Sequence, residues 1–141
     1  MYKDILMPID LGDENSWRAA SVCIEYAKAF GSTVHVVTVV PDFGMSIVGS
    51  FFPQDFEKKA LDQARERLHE WVSKHMPKEI KVQHVVGHGA AYEEILRLSE
   101  EIDCDLIVMA SHRPKAEDYL IGPNSARVVR HANCSVLVVR N

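Results

Sequence analysis

Four side chains with the chemistry of a catalytic or binding site stand just beyond β-rich runs of this chain: Asp10, His88, Ser111 and His112. Aspartate, histidine and serine are the parts of an acyl-transfer triad, in which the imidazole takes the hydroxyl proton and the carboxylate orients the imidazole. The strained Gly-x-Ser-x-Gly turn that would present such a serine is absent, and no loop reads as an oxyanion hole. Phosphate chemistry has a stronger footing. No Gly-x-x-x-x-Gly-Lys-Ser/Thr motif occurs, and no Gly-x-Gly-x-x-Gly follows the first strand. Phosphates would instead be met by the stretch from Ala110 to Ser125, which opens with small residues and closes with Gly122 just before a helical pattern. The first turn of a helix carries unpaired N–H groups and positive potential, and both suit phosphate oxygens. Asn124 and Ser125 add side-chain donors there. From Gly122 to Asn141 there is no Asp or Glu, but there are three arginines, Arg127, Arg130 and Arg140, in a chain of net charge −4. A capped helix with solvated arginines explains the same residues, and physics alone leaves the two readings level.

The elements that must position these groups alternate along the chain. Lys3 to Ile9 reads as a strand. A helix capped by Asn15 or Ser16 runs to about Phe30, with Trp17, Ala20, Ile24 and Ala27 at helical spacing, and Gly31 stops it. Thr33 to Val40 is the most β-branched run, and Pro41 ends it. Gln54 to about His75 is a long charged helix with Phe56, Leu61, Leu68 and Trp71 on its apolar side. Lys81 to Val86 is a third strand, Gly87-His88-Gly89 a turn, and Ala90 to Ile102 a third helix. Asp105 to Ala110 is a fourth strand, Pro123 to about His131 a fourth helix, and Ser135 to Val139 a last strand. This order predicts an α/β fold, doubly wound, with a parallel sheet of five strands and helices on both faces, in one domain over residues 1–141. Ligands in such sheets bind beyond the carboxyl ends of the strands, where the strand order reverses.

A phosphoacceptor receiver domain shares this alternation, and Asp10, Asp13 and Glu14 fit its acidic first loop. It also needs an aspartate after strand three and a lysine after strand five, where this chain has Gly87-His88 and Arg140-Asn141. Composition narrows the rest. The chain has 141 residues, enough to bury a core without a staple. Its acidic balance argues against a general nucleic-acid coat. No apolar run approaches the ~20 residues that span a bilayer. No basic-then-apolar leader opens the chain, which predicts a cytoplasmic protein. Cys23, Cys104 and Cys134 are odd in number, widely spaced and without a Cys-x-x-Cys, so they read as small hydrophobes rather than a disulfide framework or zinc site.

Four blocks resemble the universal stress protein family: Ile5 to Asp10, Asp105 to His112, Leu120 to Ser125, and Val128 to Arg140. The resemblance covers the whole chain. It implies a sheet of order 3-2-1-4-5, a cytoplasmic dimer acting as a regulatory module in stress response, and ATP binding without a conventional ATPase motif. Family members that bind nucleotide carry Gly-x-x-Gly, nine residues, then Gly-Ser/Thr after strand four. Here Ala110 and Arg113 replace the two glycines, eight residues separate Arg113 from Gly122, and Pro123 replaces the hydroxyl residue. The His112-Arg113-Pro114 form resembles a smaller branch of compact members. Carried over residue by residue, Asp10 faces adenine or ribose, and Pro8 and Ile9 wall the base. Val39 offers its backbone to the adenine edge, Met109 and Ala110 lie along ribose and α-phosphate, and Arg113, Gly122, Asn124 and Ser125 hold the phosphates. Arg113 trades backbone freedom for a guanidinium that forks onto phosphate oxygens. Mg²⁺ would arrive with the nucleotide, with Glu117 and Asp118 the nearest carboxylates. His112 reads as a structural imidazole and His88 as a turn residue near the mouth. No catalytic base is evident, and the rival readings are a nucleotide-free dimer that binds a regulatory partner and a slow nucleotide hydrolase. The loop from Pro41 to Pro53, with Phe43, Met45, Ile47, Phe51 and Phe52, reads as a flap over the site. If strand five is an edge, its uninterrupted Val136-Leu137-Val138-Val139 predicts pairing with a second copy.

Overall fold

The structure, a computed structural model, describes residues 1–12, 16–41, 56–111 and 123–140. Five strands and four helices follow one another as β1 (Asp4–Pro8), α1 (Ser16–Phe30), β2 (Thr33–Val40), α2 (Phe56–His75), β3 (Lys81–His88), α3 (Ala91–Ile102), β4 (Leu106–Ala110), α4 (Pro123–His131) and β5 (Ser135–Val139). Every strand pairing is parallel, and the order across the sheet is β3-β2-β1-β4-β5. The chain therefore winds outward from β1 to one edge, returns, and winds outward to the other.

The period-2 geometry of the strands sorts the core into two layers. Ile5, Met7, Ile9, Val34, Val36, Leu106 and Val108 face Ala19, Ala20, Cys23 and Ala27 of α1 and Leu68 and Val72 of α2. Leu6, Val37, Ile107 and Met109 face Ile95 and Leu98 of α3 and Val128 of α4. Leu6 is wholly buried; its truncation to Ala would cost ~2–5 kcal/mol. The sheet-facing stripe of α1 is made of small residues, which lets the helix lie close to the strands. Trp17, expected on that stripe, sits on the flank and is 47% exposed, with the Arg18 guanidinium 5.5 Å from its ring centroid.

Helix ends follow local chemistry. Gly31 takes φ +65°, which only glycine adopts without strain, and Ser32 N–H then closes onto the Ala27 carbonyl. β3 runs two residues further than its β-branched stretch predicts. Gly87 and His88 pair with Val39 and Val40, and the chain turns only at Gly89. A Cβ on Gly87 would lie 3.4 Å from both Leu98 Cδ1 and Val39 Cγ2, so α3 packs closely over this point of the strand.

Candidate functional site

β1 and β4 lie side by side where the winding direction reverses. At their amino ends Asp105 ties them: Oδ2 accepts the Lys3 N–H at 2.9 Å and Oδ1 the Asp4 N–H at 3.1 Å. Their register then holds for Ile5 opposite Leu106 and Leu6 opposite Ile107, and no further. The cause is readable in the backbone. In a parallel ladder the N–H and C=O of one residue point the same way, and successive residues alternate. Lys3 O and Ile9 N–H bond to β2, whereas Asp4 O bonds toward β4. The amide edge of residue 8 therefore faces β4, and Pro8 brings no N–H to it. The two strands part there.

The parting opens a cleft of about 440 Å³, within the range of roughly 300–1,000 Å³ usual for small-molecule sites. The cleft brings together eight of the ten residues carried over from the family: Pro8, Ile9, Asp10, Val39, Met109, Ala110, Asn124 and Ser125. The other two, Arg113 and Gly122, lie outside the described residues, as do His112, Glu117, Asp118 and the 42–53 part of the expected flap. Ser16, Val37, Thr38, Ala91 and Ile95, to which no site role was assigned, also line the cleft, as does Pro41 at the start of the expected flap. Ala91 and Ile95 share one face of α3 at i, i+4 spacing; that spacing, directly after the Gly89 turn, was the available signal. Thr38 and Ser16 are both buried, and nothing in their local sequence separates a lining hydroxyl from a capping one.

Ser16 holds Asp10 by its backbone. Its Oγ accepts the Asp10 N–H at 3.3 Å and donates to the Asp10 carbonyl at 3.0 Å. The Asp10 carboxylate in turn accepts the Gly12 N–H through Oδ1 at 2.9 Å, a turn-capping bond that fixes the first loop. Asp10 is exposed and is the one charged side chain among the described residues that line the cleft. A carboxylate alone in an otherwise apolar and hydroxyl-lined cleft accepts from hydroxyl or amine donors. Across from it, Ser125 is buried and its hydroxyl makes a long 3.4 Å bond to the Ala110 carbonyl, docking α4 onto the end of β4. Asn124 is exposed beside it. Ser111 continues β4 by donating its N–H to Val139 O at 2.8 Å, and its buried hydroxyl has no partner among the described residues.

Two expectations about charge change. Arg127 and Arg130, three residues apart on α4, line a separate groove of about 350 Å³ with Tyr92 and His131, and Arg127 lies over the Tyr92 ring at 4.7 Å. Helical spacing turns both toward α3 and away from the cleft. Arg140 is exposed beyond β5 and is not among the cleft's lining residues. His88 is the last residue of β3, not part of a turn. Its N–H goes to Glu94 Oε1 at 3.0 Å, and its Nδ1 lies 3.3 Å from Glu57 Oε1, so it joins α2, β3 and α3. The Arg97 guanidinium, bonded to Glu94 at 2.6 Å, and the His88 N–H hold the Glu94 carboxyl below its usual range against the opposing effect of burial.

The model of the universal stress protein family matches residues 1–140. The chain belongs to that family. Universal stress protein G of Escherichia coli O157:H7 is 31% identical over 142 residues, spanning 99% of this chain and all of the relative. Two solved members carry nucleotides. A universal stress protein in complex with cAMP aligns with a TM-score of 0.64 at 21% identity over 99% of this chain and 97% of its own. One from Archaeoglobus fulgidus in complex with dAMP aligns with a TM-score of 0.61 at 20% identity over 97% of each. At such identity these two show the fold of this family member. Among the described residues, no helix is long and apolar enough to cross a membrane, and no group of three or more His, Cys, Asp or Glu could hold a metal ion.

Proposed function

We propose that this protein is a regulatory binding module for adenine nucleotides, ATP or a related mononucleotide, and acts in stress response as a homodimer in the cytoplasm. The observation that carries the nucleotide reading is the cleft between the parted ends of β1 and β4, lined by Pro8, Ile9, Asp10, Val39, Met109, Ala110, Asn124 and Ser125. Pro8, Ile9 and Met109 offer apolar surface to a base. Asp10 accepts from ribose hydroxyls or the adenine amine, and the first turn of α4 offers N–H groups to phosphate. The cAMP and dAMP complexes of family members support the same ligand class. Pro123 opens α4 and removes one N–H from its first turn. The cradle on this side is therefore poorer in donors than the family motif, and Asn124 and Ser125 are the residues that would have to compensate. Mg²⁺ accompanies the triphosphate rather than occupying a cage of its own.

The dimer reading rests on β5, an edge strand whose Val136, Leu137, Val138 and Val139 are half-buried in one copy. An apolar edge without proline or lysine pairs readily with its twin. The deciding experiment is mass analysis of small molecules released on denaturing the purified protein, with calorimetric titration of the stripped protein against AMP, cAMP and ATP, with and without Mg²⁺. Recovery of an adenine nucleotide, or saturable binding of one, is expected. A folded protein that releases none and binds none would overturn the reading in favour of a nucleotide-free module that binds a protein partner.

A further inference from the structure

Cys104 and Cys134 are 30 residues apart in sequence and meet in space, their Sγ atoms 3.9 Å apart. The fold makes this meeting. Leu106 of β4 pairs with Ser135 of β5, and the two cysteines stand just before these strands, at the end of the sheet opposite the cleft. The two residues belong to the same apolar layer, Cys104 buried and Cys134 half-buried. Cys23 lies in the other layer, across the sheet. The pair is therefore isolated from the third thiol, with one residue half-buried and the other buried.

We propose that Cys104 and Cys134 are a dithiol redox site that closes to an intramolecular disulfide when the protein meets hydrogen peroxide. The half-buried Cys134 sulfur, as thiolate, attacks one peroxide oxygen, which breaks the O–O bond and gives a sulfenic acid and hydroxide. The Cys104 sulfur, giving up its proton, then attacks the Cys134 sulfur and expels the sulfenic oxygen as water. Two thiols are oxidised, one peroxide is reduced to two waters, and the electrons balance. Closing the bond needs the sulfurs to approach from 3.9 Å to the ~2.05 Å of a disulfide, within reach of side-chain rotation at Cys134. Burial holds both thiols above their usual range, Cys104 to about 12 with the carboxylates of Asp105 and Asp4 adding to the effect. Thiolate is scarce at neutral pH, so the site stays reduced under brief exposure and responds to sustained oxidant. The bond would enclose residues 104 to 134, the segment that carries the carboxyl end of β4, Asn124 and Ser125.

The test uses the full reduced chain under native conditions with excess hydrogen peroxide, followed by alkylation in denaturant, peptide mapping and thermal melting. The expected product has lost two hydrogen atoms, links the Cys104 and Cys134 peptides, and keeps one alkylatable thiol at Cys23. Its melting temperature should rise by roughly 10 °C for a loop of this length and return with dithiothreitol. Cys134→Ser should remove the linkage and the rise. Sulfinic or sulfonic acids in place of the linkage, or cross-links between chains, would each overturn the proposal. If Cys134→Ser does not fold, the map of the wild-type protein decides alone.

Discussion

Replacing Asp10 by Ala tests the cleft at the residue where two demands meet. The carboxylate has a structural task, accepting the Gly12 N–H at 2.9 Å, and in the proposed complex it also accepts from the ribose or the adenine amine. Gly12 is exposed, so its N–H finds water when the acceptor goes, and the fold should lose about 1 kcal/mol. For a chain of this size that is a melting shift of roughly 3–4 °C, and the domain stays folded because Ser16 Oγ continues to hold the backbone of residue 10 from both sides. A charge-assisted hydrogen bond to ligand is worth ~1.5–3 kcal/mol, so affinity for AMP or ATP should fall about 10- to 150-fold. Asp10→Asn separates the two tasks. It keeps an oxygen for Gly12 and loses only the charge, so it should melt with the wild type yet still bind several-fold more weakly. Isothermal calorimetry beside thermal melts reads both quantities. A folded Asp10→Ala protein with unchanged nucleotide affinity would refute the assignment of Asp10 to the ligand.

Asp105→Ala should cost about 2–3 kcal/mol, since one carboxylate holds two backbone N–H groups of β1; chemical denaturation with a midpoint at the wild-type value would contradict this. Acid should weaken the fold in two windows. Burial, then the neighbouring His69, lowers His84 from 6.5, and burial, then Lys74, lowers His75 from the same value. These imidazoles are held neutral in the fold, so their contribution is complete above about 6.5 and is lost as pH falls below it. Glu94 is lowered from 4.5, so its contribution is lost only below that value, as its carboxyl protonates. Melting temperatures measured from pH 8 to 3 should therefore fall in two steps, and a single step below 4.5 would remove the histidine part. Val138→Lys should shift a homodimer toward monomer by light scattering at micromolar concentration. Val138 is half-buried against the α3–α4 layer, so a melt must show that the variant is folded; a folded variant that remains dimeric would move the interface away from β5.

The order of elements was legible because burial and backbone geometry leave separate marks on the chain. β-branched runs such as Thr33 to Val40 and helical stripes such as Leu68 with Val72 can be told apart by period alone, and Pro41 and Gly31 punctuate them. Two local misreadings share one cause. Gly87 looked like a turn because glycine is common there, but it pairs with Val39 inside β3, with Leu98 of α3 packed closely over it. Trp17 looked like core because it is large and apolar, but the α1 interface selects small residues that let helix and sheet approach. In both cases a neighbour distant in sequence decided the outcome, and single-residue preference carries no record of that neighbour.

The site was legible to the extent that it lies directly after strands. The place of Pro8, Ile9, Asp10, Met109 and Ala110 follows from the winding of the sheet, since ligands bind beyond the carboxyl ends of the strands where the order reverses, while their separate roles came from the family resemblance. The far wall was not legible. Ala91 and Ile95 reach the cleft through the approach of α3 over Gly87, and Ser16 through a bond to the Asp10 backbone. The charge reading failed for a related reason: three arginines summed along the sequence say nothing of direction, and the helix turns Arg127 and Arg130 onto the Tyr92 side. What the sequence does contain is the device that makes the cleft. Pro8, the last residue of the central strand β1, cannot complete the ladder toward β4, while Asp105 fastens the same pair of strands at the other end. The strands are tied below and parted above, and the cleft is the gap that this difference leaves between them.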